Sequence, residues 1–217
     1  MMLVMANWFD PRLVSLFGLN TDAGTLAFPV SFLLADVITE VYGYKFARLA
    51  IWLGFFWNMV FLIYGAFITH LPHPAYLQGP QVFDRLFTAD VRIIVASLCS
   101  YFCAEPLNAY LLARLKIWMQ GRKMAVRFVA STLCASAVDS AIFTVIAFSG
   151  VIPSNQLLIF MMTMWGIKVM VEIIGLSLSI PLAIRLKKIE QVDRFDVGTD
   201  FTLLSLDLSY QSYNKKM

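Results

Sequence analysis

Charge is what this chain has least of. Charged side chains make up 14% of its 217 residues, against about 25% in an average soluble domain. With 59% of the residues hydrophobic, that deficit excludes an ordinary water-soluble globule and makes a bilayer the main solvent. Cysteine is scarce too. Cys99, Cys103 and Cys134 all lie in apolar stretches, where they read as small buried side chains rather than as disulfide or metal chemistry. The two histidines, His70 and His73, flank Pro72 without a third ligand, so a structural or solvent-exposed role is expected and no metal. There is no phosphate-binding glycine loop of the G-x-x-x-x-G-K-S/T kind, so ATP can act only through a partner. No cofactor is expected, and no internal repeat is visible. The net charge of +3 is small and gives no reason to expect a nucleic-acid partner.

What the chain does have is apolar runs of membrane-spanning length, about 17–25 residues. They cover 25–42, 47–70, 89–114, 125–149 and 155–185, the last long enough to tilt or to project beyond the membrane. A sixth segment, 2–19, is interrupted by Asp10, Pro11 and Arg12 and resembles the second half of a span whose first half is missing. A cleaved signal peptide is not expected, because a basic n-region and a small-residue cleavage site are absent. The fold expected is an all-α integral membrane protein, a six-helix bundle over residues 1–189 with its first helix truncated. Residues 190–217 are polar, lack a sustained period, and read as a cytosolic tail ordered only in part.

Basic residues alternate between the connections. Lys45 and Arg48, then Arg114, Lys116, Arg122, Lys123 and Arg127, then Arg185, Lys187, Lys188 and Arg194 mark one side. The connection over 71–88 holds only Arg85, and 19–24 and 150–154 hold no Lys or Arg. By the positive-inside rule both termini lie in the cytosol. The 71–88 connection reads as an outer loop, with a short interfacial helix as an option.

Within the spans sit Asp36, Glu40, Glu105, Asp139, Lys168 and Glu172, with Asn58 and Asn108 as neutral amides. A charged side chain near the bilayer centre costs roughly 2.5–3.5 kcal/mol on insertion scales, so each must face protein, water or a ligand. Asp36 and Glu40 share one helix face at i and i+4. Asp36 and Glu105 have no cation on their own helices, which favours a functional role. The others have structural alternatives. Glu40 can pair with Lys45 or Arg48, and Lys168 with Glu172 at i,i+4. Asp139, between Ser136 and Ser140, can join helices by hydrogen bonding. Five acids against one lysine cannot all stay ionised in a low-dielectric cavity, so some are protonated or meet a donor-rich ligand.

Pro106 follows Glu105 and is expected to break its helix and free backbone carbonyls to line a cavity. Tyr101 and Asn108 share the Glu105 face, and Trp165 precedes Lys168 and Glu172. Aromatic rings at such spacings serve packing, or stack on a flat heterocycle whose ring N–H groups the carboxylates accept. Ala23 with Ala27, and Ala137 with Ala141, are small-xxx-small pairs suited to close helix contact or to docking of another subunit.

The segment FPVSFLLADVITEVYGYKFAR (28–48) resembles the hallmark of the bacterial queuosine precursor transporters, a family first labelled as vitamin uptake transporters. The resemblance runs on through Glu105-Pro106-Leu107-Asn108, the basic 114–127 connection, Asp139-Ser140-Ala141-Ile142-Phe143 and DVGTDFTLLSL near the C-terminus. The departure is at the front, where family members carry a complete first span. The resemblance implies six helices similar to the substrate-binding subunits of energy-coupling-factor vitamin importers, in the bacterial inner membrane. It implies uptake of a 7-deazaguanine base, 7-cyano-7-deazaguanine or its 7-aminomethyl form, for queuosine salvage. The expected first contacts are Asp36, Glu105, Asn108 and Glu172, with Lys168 setting the charge of Glu172. Tyr101, Asp139, Trp165 and Glu40 are further candidates, Glu40 also as a cytosolic latch. A homo-oligomer and an energising ATPase partner stay open. A capturing subunit of an energy-coupling-factor importer is the alternative, and an intramembrane enzyme a remote one, since the chain lacks a nucleophile–base pair.

Overall fold

The computed structural model describes residues 2–16, 18–72, 84, 87, 91–205 and 207–210. Among them are six helices and one small hairpin, as an all-α membrane bundle requires. The first helix, α1 (Met2–Phe9), rises only about 12 Å, less than half the roughly 30 Å hydrocarbon core. It stops where Pro11 disfavours a helical residue before it. Instead of a span over 2–19, the chain turns into an antiparallel hairpin of β1 (Leu13–Leu16) and β2 (Leu19–Asp22), with Leu13 opposite Asp22.

A 3-10 turn at Gly24–Leu26 leads into α2 (Pro29–Tyr42). Pro29 sits in the first turn, where its missing N–H leaves nothing unsatisfied. Four long helices follow: α3 (Tyr44–Thr69), α4 (Val91–Trp118), α5 (Met124–Phe148) and α6 (Ser154–Glu190). α2 to α6 alternate in direction, so the bundle has a hairpin end and a tail end. α2 is central and packs on α3, α4 and α6.

Four segments, Gly24–Tyr42, Tyr44–Thr69, Met124–Phe148 and Ser154–Glu190, are long and apolar enough to cross a membrane. α4 is as long, at 28 residues, but turns Ser97, Ser100, Glu105 and Asn108 inward, which dilutes its apolar signal. It also runs unbroken through Pro106, against the expectation of a broken helix. The proline removes the donor for the Phe102 carbonyl, and Phe102 is on the exposed side.

Small residues let the helices close in. Ala104, Ala109, Ala113 and Ala135 are buried with Phe28, Phe32, Tyr44 and Tyr101 in one cluster. Ala137 and Ala141, expected at a tight contact, are only half-buried, as are Ala23 and Ala27. A second cluster at the hairpin end joins Ala96, Phe143, Phe148, Phe160 and Met164. Phe56, Trp57, Ile63, Tyr64 and Phe67 of α3 face outward, as lipid-facing side chains must. The three cysteines are also exposed. They were expected to be buried, but an apolar span offers an outward face as readily as an inward one. His70 caps α3, its Nδ1 2.7 Å from the Ala66 carbonyl, while His73 and most of the 71–88 connection lie outside the described residues.

α2 and α3 meet at one residue. Gly43 is the C-cap of the first and the N-cap of the second, at φ +85°, a backbone state that favours glycine. The tail packs against this corner rather than hanging free. Arg194 N–H donates to the Val41 carbonyl at 3.2 Å. Tyr44 N–H donates to Asp196 at 3.0 Å, and Tyr210 donates its hydroxyl to Asp196 at 2.8 Å. Phe201 lies edge-on to Tyr44 and Tyr110, with ring centroids 4.9 and 5.1 Å away. Arg48 donates to the Thr202 and Asp207 carbonyls, and Trp52 to that of Leu203. A polar sequence without a period hid this docking, because the partners are backbone carbonyls and scattered single side chains.

Candidate functional site

The inward faces of α2, α4, α5 and α6 bring most of the polar residues of the spans into one column. At its middle, Asp36 is fully buried and accepts a hydrogen bond from the Asn108 amide at 2.6 Å. Its Oδ2 has no partner, and neither does the amide oxygen of Asn108. Glu172 comes from α6 beside Asp36 and Thr132, with neither carboxylate oxygen closing a hydrogen bond. Glu105 comes from α4. Its Oε1 has only a long contact with the Ser31 hydroxyl, 3.4 Å, and Oε2 has none. The hydroxyls of Thr132, Ser136 and Ser140 on α5 are buried and unpaired as well.

The column therefore holds a set of unpaired carboxyl and amide oxygens, with short hydroxyls and the Asn108 amide as its donors. Each unpaired buried polar group costs about 1–3 kcal/mol. A ligand offering several N–H donors removes that cost. The three carboxyls and the amide proposed from sequence thus share one place, as spacing and depth suggested.

Glu40, one turn further along α2, does different work. Pairing with Lys45 or Arg48 was one alternative for it. Instead both its oxygens meet cations from other helices: Arg127 of α5 at 2.5 Å, Lys187 of α6 at 2.5 Å, and Lys116 of α4 at 3.8 Å. Lys116 and Lys187 also hold Asp193, at 2.7 and 2.8 Å. Burial pushes the Asp193 carboxyl up, but the two ammonium groups outweigh it and hold it below the usual carboxylate range. Lys45 pairs with Asp207 at 2.5 Å, and Arg48 is taken up by tail carbonyls. Glu40 therefore ties four helices and the tail together at the tail end. Helix spacing alone points to neighbours in sequence, whereas these partners come from three other helices.

Lys168 also departs from expectation. It does not pair with Glu172, its i,i+4 neighbour, but forms an ion pair with Asp139 across the α5–α6 contact. Its ammonium lies 5.0 Å from the centre of the Phe28 ring. The reason is geometric: Lys168 and Asp139 both face the hairpin end, one turn away from Glu172. There they border a small polar chamber with Asp10, Asp22, Thr25 and Ser100. Sequence reading treated Asp10 only as a defect in a span and passed over Asp22 and Thr25. The available signal was the D-x-x-T spacing ahead of an apolar helix, since Asp22 accepts the Thr25 N–H at 2.6 Å in the manner of a cap.

The two aromatic candidates stand at the edge. Tyr101 is buried one turn from Glu105, its hydroxyl 3.4 Å from the Ile51 carbonyl of α3. Trp165 donates its indole N–H to the Leu133 carbonyl at 3.0 Å and pins α6 to α5, away from the acceptor column.

Comparisons with known proteins give the family. The family described as "Putative vitamin uptake transporter" matches residues 22–182. A protein of Bacillus subtilis (strain 168) named "Probable queuosine precursor transporter" is 30% identical over 189 residues, covering 85% of this chain and 80% of its own length. The "Queuosine precursor transporter" of Escherichia coli (strain K12) is 27% identical over 148 residues, 68% of this chain and 64% of its own. No solved structure matches. The matched region begins at Asp22 and ends within α6, so it contains the whole acceptor column, and the chain belongs to the vitamin uptake transporter family.

Proposed function

We propose that this chain is a multi-pass importer of queuosine precursors, and that Asp36, Glu105, Asn108 and Glu172 form its binding site. The names of the two relatives support the cargo. The observation that supports the site is the surplus of buried acceptors with no partner. A 7-deazaguanine base presents ring N–H and exocyclic amine donors along one edge, the complement of those carboxyls. In the 7-aminomethyl form a cationic group adds to the match.

The expected mechanism is alternating exposure of a midplane site by rocking helices, with no covalent chemistry. Lys and Arg crowd the tail end, and by the positive-inside rule that end faces the cytosol of a bacterial inner membrane. Opening towards the cytosol then requires α2 to separate from α4, α5 and α6 at Glu40. Opening outward requires the N-terminal segment to move.

The test is salvage by a strain unable to make queuosine, supplied with each precursor and scored by queuosine in its tRNA. Hydrogen bonds to charged groups are worth about 1.5–3 kcal/mol, so Asp36→Asn with Glu105→Gln should lower uptake by more than about tenfold. Normal salvage by that double variant, at equal membrane abundance, refutes the carboxylate site. Salvage in cells lacking any energy-coupling ATPase separates a self-sufficient importer from a capturing subunit.

A further inference from the structure

The chamber at the hairpin end is distinct from the acceptor column and is closed by the N-terminal segment. Asp22 accepts the Thr25 N–H on Oδ1 at 2.6 Å and the Thr25 hydroxyl on Oδ2 at 2.7 Å. Both Asp22 oxygens are therefore occupied by donors of its own turn. The Asp10 carboxyl lines the same chamber beside it. With both Asp22 oxygens taken up by Thr25, a proton bound at this pair has its place on Asp10. Both residues are buried, at 5% and 0% exposure, and two adjacent buried anions are strongly disfavoured.

The charged groups facing Asp10 are Asp22 on β2, Asp139 on α5 and Lys168 on α6. α4 offers the hydroxyls of Ser97 and Ser100, and the residue leading into α2 offers the ring of Phe28. Lys168 is committed to one oxygen of Asp139. The other, Oδ1, has no partner, although Asp139 is only 2% exposed and borders the chamber. The chamber measures about 20 Å³, enough for one water.

We infer that the Asp10–Asp22 pair is a proton-binding site and that uptake is coupled to a proton entering there. This rests on the importer reading above. The proton moves from Asp10, through the chamber water, to the free oxygen of Asp139, leaving Asp10 anionic and Asp139 neutral. Lys168 then loses its counter-ion and turns to Glu172, one turn along α6, so proton and base meet through a single ammonium. When the tail end opens, Asp139 releases the proton with the cargo.

The experiment uses the purified full chain in liposomes, with labelled 7-cyano-7-deazaguanine, the membrane potential clamped and a gradient of one pH unit. With one proton per base the wild type should accumulate the base up to about tenfold, the ratio that one pH unit sets. Asp10→Asn, which keeps an N–H donor for Asp22, should still exchange base but should not accumulate it. A wild type that only equilibrates the base overturns the inference, as does an Asp10→Asn variant that accumulates normally. Infrared spectra of the cargo-free protein at neutral pH provide the readout independent of cargo. A protonated-carboxyl band that disappears in Asp10→Asn supports the site, and its absence from the wild type overturns it even if base is transported. The band present with no base taken up overturns the cargo reading alone.

Discussion

Glu40→Ala is the substitution whose cost the structure fixes best. Arg127 is fully buried, and Glu40 is its only carboxylate partner among the described residues. Removing one member of a buried ion pair costs about 3–5 kcal/mol, because the other charge is left uncompensated. Two features pull the value to the lower end. Arg127 keeps the Arg122 and Gly121 carbonyls, and Lys116 and Lys187 keep Asp193. We therefore expect a loss of about 3 kcal/mol, or about 6–12 °C in apparent Tm for a chain of this size. Glu40→Gln keeps an acceptor for Arg127 and should lose about half as much. The assay is thermal unfolding of the purified protein in detergent, followed by base uptake. A Tm change below about 2 °C together with abolished uptake would refute the reasoning, since Glu40 would then be a cargo ligand and not a clamp.

Other outcomes follow from the same contacts. Lys168→Met should lower stability by about 3 kcal/mol by stranding Asp139, and adding Asp139→Asn should restore most of it. Equal losses in the single and double variants would exclude the ion pair. The Asp193 carboxyl is held low when folded, so its contribution is complete above its unfolded value of about 4 and disappears as pH falls through the lower folded value. A spin label at Ser205 should accordingly be immobile at neutral pH and gain mobility as pH falls below the unfolded carboxylate value of about 4; mobility unchanged on acidification would show that Asp193 does not hold the tail. A fluorescent protein fused after Met217 should fluoresce, and alkaline phosphatase at the same place should be inactive, as a cytosolic C-terminus requires. The opposite pair of results would invert the orientation.

The membrane class and the positions of α2 to α6 were legible because they follow from composition and run length, which need no partner. Asp36, Glu105, Asn108 and Glu172 were legible as a group because depth along a straight helix is set by residue count. Pairing was not. Lys168 has an acid one turn away in sequence, yet chooses Asp139 on another helix, and helical periodicity carries no information about which faces meet. The docking of the tail was not legible for a related reason: its anchors are backbone carbonyls and scattered single side chains, which leave no period in the sequence. The N-terminal segment was misread because the same Asp-Pro sequence that spoils a span also builds a turn, and only the buried Asp22 beside it shows which applies.

Gly43 has a consequence for how such a protein can move. A Cβ there would lie 2.3 Å from the Tyr210 hydroxyl and 3.2 Å from the Arg194 Cβ, so the corner joining α2 to α3 is also the seat of the tail. With no intervening loop to absorb rotation, a change in the angle between the two helices has to shift that seat. Helix rocking of the kind proposed would therefore displace the tail as well. An agent that grips or frees the tail is then expected to change the rate of turnover.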